Sequence, residues 1–252
     1  MRRVRELIAS VQAAHPGDNF FANIESTWQH SRQARAKYRA YDRAFLSLDE
    51  QSWRETEDKA LRHFLDHRKG QLKQGFFNQI NEAFAYEHLI RRGCQNVRVL
   101  QEDGNTKPDI AHVENGQQRF CEVKTIGISQ EQLARWEAGG AFSGSIYAQL
   151  SDGFINKLNS TLSKACEQIA TQGGDGLVFL IVLFDDFTMM YYDTYRSQIL
   201  DCLLRHRAPE IQVKIGLSGQ RRLQSGARMT PNTSIEGMPK RLRLLCTPHV
   251  TR

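Results

Sequence analysis

The sequence predicts an α/β fold in which a mixed central sheet is flanked by helices. Three observations support this prediction: a strong amphipathic helix at residues 73–92, three short strands within residues 97–126, and a second helix followed by a buried strand within residues 155–184. The order is therefore helix, three strands, helix, strand (αβββαβ). Such an order gives one sheet with helices on both of its faces.

The composition is that of an ordinary soluble protein with one sizeable core, or one core and a smaller appendage. No apolar run reaches the roughly 18 residues that are needed to span a bilayer, so no membrane partner is expected. Five cysteines are scattered singly, without CxxC spacing. This usage favours a reducing cytoplasm and argues against both a disulfide framework and a structural zinc site.

The charge is distributed unevenly along the chain. We divide it into a helical N-terminal extension (residues 1–72, net charge +3), a core (residues 73–204, net charge −5) and a basic C-terminal extension (residues 205–252, net charge +8). The last part is expected to pack on the core or to trail from it. An acidic middle beside a basic end suits a cation site next to a polyanion-binding surface. The alternative is a solvated basic tail without a partner.

The N-terminal extension is predicted to contain three helices. An apolar stripe beginning at Val4 indicates the first, residues 31–48 have high helix propensity, and the third begins near Asp49 as its cap. The second helix carries the basic residues Arg32, Arg35, Lys37, Arg39 and Arg43. Tyr38 and Tyr41 are interleaved with them. This helix is either a surface that faces nucleic acid or a solvated helix face.

The helix at residues 73–92 carries two glutamates of interest, and Gly93 follows it as a C-cap. Its wide apolar face consists of Phe76, Phe77, Ile80, Ala83, Phe84 and Ile90. Glu82 lies at one edge of the apolar arc and Glu87 lies nearer its middle. Because five residues correspond to about 140° of rotation, the two glutamates cannot both point at one small site. We expect at least one of them to be carried toward the core.

Residues 107–126, KPDIAHVENGQQRFCEVKTI, are predicted to form two strands joined by a turn at residues 114–116. Glu122 and Lys124 are two residues apart and therefore share one face of the second strand. Their neighbours are mostly apolar, so this strand should be largely buried. Buried charges cost several kcal/mol unless they are paired or bound to an ion. This pattern indicates that the two side chains have a function.

The second half of the chain continues the α/β pattern. Residues 127–153 are glycine-bearing and are predicted to be a functional loop with a short helical piece. An amphipathic helix at residues 155–170 and an apolar strand at residues 177–184 follow, and the strand is expected to be buried on both faces. A further helix at residues 192–206 precedes an edge strand at residues 211–217.

The charged residues of the hairpin suit a metal site. If Asp109, Glu122 and one helix glutamate converge, they form, with a main-chain carbonyl such as that of Val123, an all-oxygen site for Mg²⁺ or Mn²⁺. Such a site can position and polarise a phosphodiester. Lys124 could orient the attacking water, lower its pKa or neutralise charge on phosphorus. The structural alternative is that Asp109 caps a turn, while Glu122 and Lys124 pair with each other or with solvent.

Other chemistry-bearing motifs do not compete with this interpretation. The sequence contains no GxSxG elbow, no GxxxxGK[ST] loop and no GxGxxG fingerprint, so nucleophilic-serine and nucleotide-cofactor chemistry are unsupported. No helix-turn-helix or zinc finger is evident either. The sequence therefore indicates no module that reads a specific DNA site.

The set Pro108-Asp109 followed by Glu122-Val123-Lys124 resembles the signature of the PD-(D/E)xK nuclease superfamily, also called restriction-endonuclease-like. The resemblance covers roughly residues 75–185 and includes the flanking helix and strand. It implies a restriction-endonuclease-like core in which Asp109 and Glu122 are metal ligands and Lys124 is the catalytic lysine. The helix ligand would be Glu82 or Glu87. We prefer Glu82, because its distance to Gly93 resembles that of the family's helix glutamate, although periodicity leans toward Glu87.

The resemblance also implies residues that contact a nucleic acid. Polar residues that many members carry on the helix after the lysine strand would correspond to Lys157, Lys164 or Gln168. Further phosphate contacts are expected from the basic tail, at Arg221, Arg222, Lys240 and Arg241.

The expected function is that of a Mg²⁺- or Mn²⁺-dependent DNA endonuclease of restriction, repair or defence type. RNA and branched DNA remain open as substrates, and a homodimer is possible. The alternative is a non-catalytic nucleic-acid-binding or assembly protein that retains the nuclease fold.

Overall fold

A computed structural model describes residues 1–66, 73–102, 107–127, 149–173, 175–184, 192–205, 210–217 and 242–245. These residues form seven helices and six strands, so the chain is an α/β protein. The helices are α1 (Arg2–Ala14), α2 (Ile24–His30), α3 (Arg32–Leu46), α4 (Glu50–Arg62), α5 (Gln74–Arg91), α6 (Asp152–Ala170) and α7 (Tyr192–Arg205). The strands are β1 (Gln95–Val99), β2 (Ile110–Glu114), β3 (Gln117–Ile126), β4 (Gly176–Phe184), β5 (Glu210–Leu217) and β6 (Leu242–Leu245).

The chain divides into two compact units, Met1–Val123 and Lys124–Val250. The boundary that we expected between residues 72 and 73 falls inside the first unit, because α4 packs against α5 and also against β1. The boundary expected between residues 204 and 205 falls inside the second unit, where β5 pairs with β4. The helical N-terminal segment and the hairpin that carries Asp109 thus belong to one body.

The sheet of the first unit is antiparallel. β1 pairs with β2, and β2 pairs with β3 through a tight turn at Asn115 and Gly116. Both turn residues have positive φ, 52° and 76°, which is the backbone that a type I′ hairpin requires and that Asn-Gly adopts readily. In the resulting register Ile110 lies opposite Cys121. The predicted hairpin is present, with Asp109 directly before the first residue of β2.

Local capping explains where the helices of the first unit begin and end. The Ser31 side chain accepts a hydrogen bond from the Ala34 amide at the start of α3, and Asp49 does the same for Ser52 at the start of α4. Gly93 follows α5 with a φ of 84°, as its predicted C-cap position requires. The short helix α2 was not predicted, because its seven residues are too few for an apolar period to be recognised.

Helices α3 and α4 both pack on α5. From α3, the Tyr41 hydroxyl donates a hydrogen bond of 2.8 Å to the Asn81 side-chain oxygen. Tyr38 packs on the Trp28 ring, with 5.4 Å between the ring centroids. The interleaved tyrosines of α3 therefore face the protein rather than a nucleic acid. From α4, the Ser52 hydroxyl accepts a 3.1 Å hydrogen bond from the Val99 amide, which fixes α4 on β1.

The second unit begins with the last three residues of β3, and its strand order is β3, β4, β5, β6. β4, β5 and β6 are parallel. Residues 177–182 of β4 are all buried, which confirms that this strand is covered on both faces. Its core also contains the apolar stripe of α6, a helix whose N-cap is Ser151.

The prediction that β5 is an edge strand was wrong, because β6 pairs with it. β6 has only four residues, LRLL, and lies in a basic segment rich in Gly, Ser, Thr and Pro. A strand this short leaves no alternation that could be recognised from sequence.

Parts of the predicted loop and of the tail lie outside the described residues, namely residues 128–148 and the four proposed phosphate contacts Arg221, Arg222, Lys240 and Arg241. Within the described residues, none of the helices has the length and apolar character that a membrane crossing demands.

Candidate active site in the first unit

Asp109 and Glu122 are brought together by the register of the hairpin. Because Ile110 lies opposite Cys121, continuing the antiparallel pairing by one residue puts Asp109 opposite Glu122. Directly opposed residues in an antiparallel pair place their side chains on the same face, with Cβ atoms about 4.5–5.5 Å apart. Glu122 is completely buried, and Asp109 is half-buried. The hairpin register therefore predicts that these two carboxylates are neighbours at the start of β2.

The backbone around Asp109 is held from both neighbouring strands. Its carbonyl oxygen accepts a hydrogen bond of 2.9 Å from the Leu100 amide, just after β1. Its side-chain Oδ2 accepts a hydrogen bond of 2.6 Å from the Val123 amide on β3. The second bond directs the carboxylate of Asp109 across the strand toward the Glu122-Val123 peptide.

Glu82 is buried against the sheet in an ion pair with a lysine that the sequence did not single out. Its Oε2 lies 3.1 Å from Nζ of Lys59 on α4, and both side chains are almost inaccessible, at 5% and 2% exposure. A buried ion pair of this kind costs desolvation for both partners, and it persists only if the charges neutralise each other. Lys59 is thus the resident counter-ion of Glu82.

The electrostatics link this pair to Asp109. Burial first, and then the negative charge of Asp109, raise the pKa of Glu82 well above its ordinary value, while the ammonium of Lys59 opposes the rise. Burial by itself would lower the pKa of Lys59, but the carboxylates of Glu82 and Asp109 more than offset it, so that the pKa of Lys59 is raised. Lys59, Glu82 and Asp109 therefore form one electrostatic group, in which two acids repel each other around a single cation.

Glu87 has different partners. Its Oε1 accepts a hydrogen bond of 2.9 Å from Nε of Arg43 on α3, and the same oxygen accepts one from the Arg91 guanidinium of its own helix. The arginine side chains are 53% and 63% exposed. The two glutamates of α5 thus point to different neighbours, as their separation of about 140° around the helix requires.

The remaining predicted site residues belong to the second unit. Lys124 is the first residue of that unit and is half-buried, and strand alternation gives it the same face of β3 as Glu122. Lys157, Lys164 and Gln168 lie along one side of α6, next to the buried stripe of that helix. Lys164 is exposed, while Lys157 and Gln168 are half-buried.

The donor chemistry of the acidic group fits a hard divalent cation. Asp109, Glu122 and Glu82 supply carboxylate oxygens, and the Val123 carbonyl would add a neutral one, which is a ligand set suited to Mg²⁺ or Mn²⁺ rather than zinc. The atoms are not already assembled around one point. Within the described part of the chain, no group of three or more His, Cys, Asp or Glu side chains is arranged to hold a metal ion. Binding at this position would require the carboxylates to turn from their present partners.

No protein-family model, curated protein or solved structure matches this chain. The chemistry of the site therefore rests on its own residues.

Lys59 is the member of this group that sequence reasoning missed. It lies at the edge of a buried face of α4 that also contains Ser52 and Thr56, at spacings of seven and three residues. The sequence pattern that could have identified Lys59 is its helical spacing from the small polar residues Ser52 and Thr56, which places all three on one face of α4. Its partner, however, is 23 residues away on another helix, and no local pattern indicates that pairing.

Proposed function

We propose that this chain is a metal-dependent nuclease that hydrolyses phosphodiester bonds of DNA as an endonuclease of restriction, repair or defence type. The observation that carries the proposal is the 2.6 Å hydrogen bond from the Val123 amide to Oδ2 of Asp109, which holds that carboxylate at the Glu122-Val123 peptide, with Glu82 electrostatically coupled to Asp109. Carboxylates that repel one another in a buried position favour the binding of a cation. A structural role alone would not require three of them.

The element order supports the finer fold proposal. Helix α5, the antiparallel strands β1–β3, helix α6 and strand β4 follow one another in the order expected for a restriction-endonuclease-like core. We propose that α1–α4 were added to such a core and now form part of its first unit. We also propose a cytoplasmic location, on the ground that the five cysteines are scattered singly.

Each residue has a defined role in the proposed site. Asp109, Glu122 and Glu82, with the Val123 carbonyl, would hold the Mg²⁺ or Mn²⁺. When bound, that ion would polarise the phosphodiester and offset the charge that develops on it. Lys124 would orient the attacking water or accept its proton, and its ammonium form would stabilise charge on the phosphoryl oxygens. Lys59 holds Glu82 in place by the ion pair between α4 and α5.

A second candidate function is favoured by one specific observation. Lys59 already neutralises Glu82, and Oδ2 of Asp109 already accepts the Val123 amide. Both interactions are satisfied without a metal, as they would be in a nucleic-acid-binding protein that retains the fold without cleavage. The two candidates differ in their need for the Asp109 and Glu122 carboxylates. A nuclease requires them for cleavage of DNA, whereas a protein that only binds nucleic acid does not.

The test is a cleavage assay on supercoiled, linear, single-stranded and branched DNA, with Mg²⁺ or Mn²⁺ and with EDTA. Asp109→Asn, Glu122→Gln and Lys124→Met should each reduce metal-dependent cleavage by at least about 100-fold. Glu114→Gln is the matched control, because Glu114 is a partly buried carboxylate of β2 that is paired with Arg92 and Arg119.

Cleavage that survives the Asp109 and Lys124 substitutions would refute the site. Tight binding of DNA by the wild type without cleavage of any substrate would favour the second candidate.

A further inference from the structure

The arginines of three helices in the first unit differ in how they are neutralised. On α1 and α4, every arginine has a carboxylate partner: Arg2 with Glu6, Arg3 with Glu6 and Glu50, Arg5 with Glu25, Arg54 with Glu50, and Arg62 with Asp58. On α3, Arg43 pairs with Glu87. The other three, Arg32, Arg35 and Arg39, form no ion pair with any described residue.

These three arginines lie on one side of α3. At about 100° per residue, Arg32, Arg35 and Arg39 fall within roughly 60° of one another, and Arg43 continues the same row. Arg32 and Arg39 are exposed and Arg35 is half-buried. The opposite side of the helix is buried and contains Tyr41, Ala44 and Phe45. The row of three arginines without an ion pair, here called the arginine stripe (Arg32, Arg35 and Arg39), is about 10 Å long.

The arginine stripe has a rigid support. α3 is fixed to α5 by the hydrogen bond between Tyr41 and Asn81 and by the ion pair between Arg43 and Glu87. Asn81 directly precedes Glu82 in the candidate site. The only acidic residue of α3, Asp42, is buried, accepts a hydrogen bond from the Val4 amide and forms an ion pair of 3.3 Å with the N-terminal ammonium of Met1. It forms no ion pair with the three arginines of the stripe.

We propose that the arginine stripe of α3 is a binding surface for the phosphate backbone of a nucleic acid. This proposal rests on the proposed function in one respect, because only a nuclease would have that nucleic acid as its substrate. A guanidinium presents a planar pair of donors that matches a phosphate group in a bidentate manner. One arginine per helical turn over about 10 Å matches the phosphates of roughly three base pairs of duplex. Such contacts position a nucleic acid without reading its sequence.

The alternative polyanion, an anionic membrane, fits the stripe less well. A helix that binds a membrane surface inserts an apolar face beneath its basic face. The apolar face of α3 is instead buried within the first unit, where Tyr41 and Phe45 stack at a centroid distance of 6.0 Å. The side of α3 that carries the stripe exposes one large apolar side chain, that of Leu46 at the end of the helix, which is 55% exposed. One such residue offers too little apolar surface for insertion into a membrane, so the stripe suits a solvated phosphate backbone better.

The experiment measures binding in EDTA, so that it does not depend on cleavage. Fluorescence anisotropy gives the Kd for a labelled DNA duplex between about 50 and about 200 mM salt. The test variant is Arg32→Gln/Arg35→Gln/Arg39→Gln. The matched control is Arg2→Gln/Arg5→Gln/Arg54→Gln, which removes the same charge from arginines that are paired with glutamates. A triple Arg→Lys variant of the stripe keeps the charge and shows whether any loss reflects misfolding.

The test variant should bind DNA at least about tenfold more weakly than the wild type. The slope of its plot of log K against log salt concentration should be less negative by about 2 to 3, because about 0.9 counterions are released per phosphate neutralised. The control should keep the wild-type slope, and the Arg→Lys variant should keep most of it.

Equal Kd values and slopes for the test and control variants would overturn the proposal. Wild-type protein that binds anionic vesicles through the stripe but binds no duplex would overturn it as well. A wild type that binds DNA through the stripe and cleaves nothing would refute the nuclease proposal alone.

Discussion

Helix α5 is held from two sides by ion pairs that differ in burial. On the α4 side, Glu82 pairs with Lys59 at 3.1 Å, and neither side chain is more than 5% exposed. On the α3 side, Glu87 pairs with Arg43 at 2.9 Å, but the arginine is 53% exposed. The first pair is surrounded by protein and lies next to Asp109. The second is open to water and screened by it.

The difference indicates which glutamate can take part in chemistry. A solvated arginine–glutamate pair contributes little to the free energy of unfolding and requires little desolvation. Replacing it should therefore change stability only slightly. A buried pair beside a third charge is costly to maintain, and such groups are concentrated at functional sites. We therefore assign the α4 side of α5 to the proposed site and the α3 side to packing, with the arginine stripe beyond it.

The largest effect is expected from removing the cation of the buried pair. Lys59→Met leaves the carboxylate of Glu82 buried beside Asp109 without its counter-ion, which should lower the free energy of unfolding by about 3–5 kcal/mol. Arg43→Met on the solvated side should lower it by no more than about 1 kcal/mol. Urea denaturation of the two variants at neutral pH measures both values. Equal losses would show that the two sides do not differ in the way described.

The next effect separates the two glutamates by activity. Glu82→Gln keeps the shape of the side chain but removes a charge from the proposed site, and it should reduce Mn²⁺-dependent cleavage by about 100-fold or more. Glu87→Gln removes a charge from the arginine pair and should leave the rate within about threefold of the wild type. Initial rates on one labelled DNA substrate, normalised to the folded fraction, provide the comparison. A larger loss for Glu87→Gln would exchange the roles of the two residues.

The smallest effect concerns a lysine on the α3 side that has no carboxylate partner among the residues that the structure describes. Nζ of Lys37 lies 4.6 Å from the centre of the Phe77 ring, and burial lowers the pKa of Lys37 to about 8. Because the unfolded chain binds this proton more tightly, stability should rise as the pH increases from about 8 toward 10.5, the ordinary value for lysine. Lys37→Met should therefore stabilise the protein at pH 7 by about 1–2 kcal/mol, a value reduced for partial exposure.

The advantage of Lys37→Met should shrink as the pH approaches 10. Urea denaturation at several pH values measures it, and Arg39→Met on the same helix is the exposed control. An advantage that does not change with pH would mean that the pKa of Lys37 is not lowered.

Local patterns predicted much of the fold. The amphipathic period of α5, the glycine after it and the Asn-Gly turn between β2 and β3 are all signals that lie within a few residues of the structure they specify. The eight-residue apolar run of β4 was equally clear. The alternation within β3 likewise predicted that Glu122 lies in a largely buried part of that strand.

Other features depend on contacts that no local pattern encodes. The role of Lys59 depends on its ion pair with Glu82, which lies on another helix. The position of α4 on β1 depends on the hydrogen bond between the Val99 amide and the Ser52 hydroxyl. The sequence could not decide between Glu82 and Glu87 for the same reason. Periodicity gives the side of α5 on which each glutamate lies, but it does not give the element that covers that side. The place of β6 beside β5 is a tertiary pairing of a very short strand.

The most direct measurement for the proposed site is a calorimetric titration of Mn²⁺ into the wild-type protein and into Asp109→Asn, with Glu87→Gln as the control. The carboxylate of Asp109 is held at the Glu122-Val123 peptide and is electrostatically coupled to Glu82, so its charge should contribute to any ion held by that group. The wild type and Glu87→Gln should bind Mn²⁺ with similar affinity, and Asp109→Asn should bind it at least about tenfold more weakly. Equal Mn²⁺ affinity in the wild type and Asp109→Asn, or no binding by the wild type, would contradict a metal site at this hairpin.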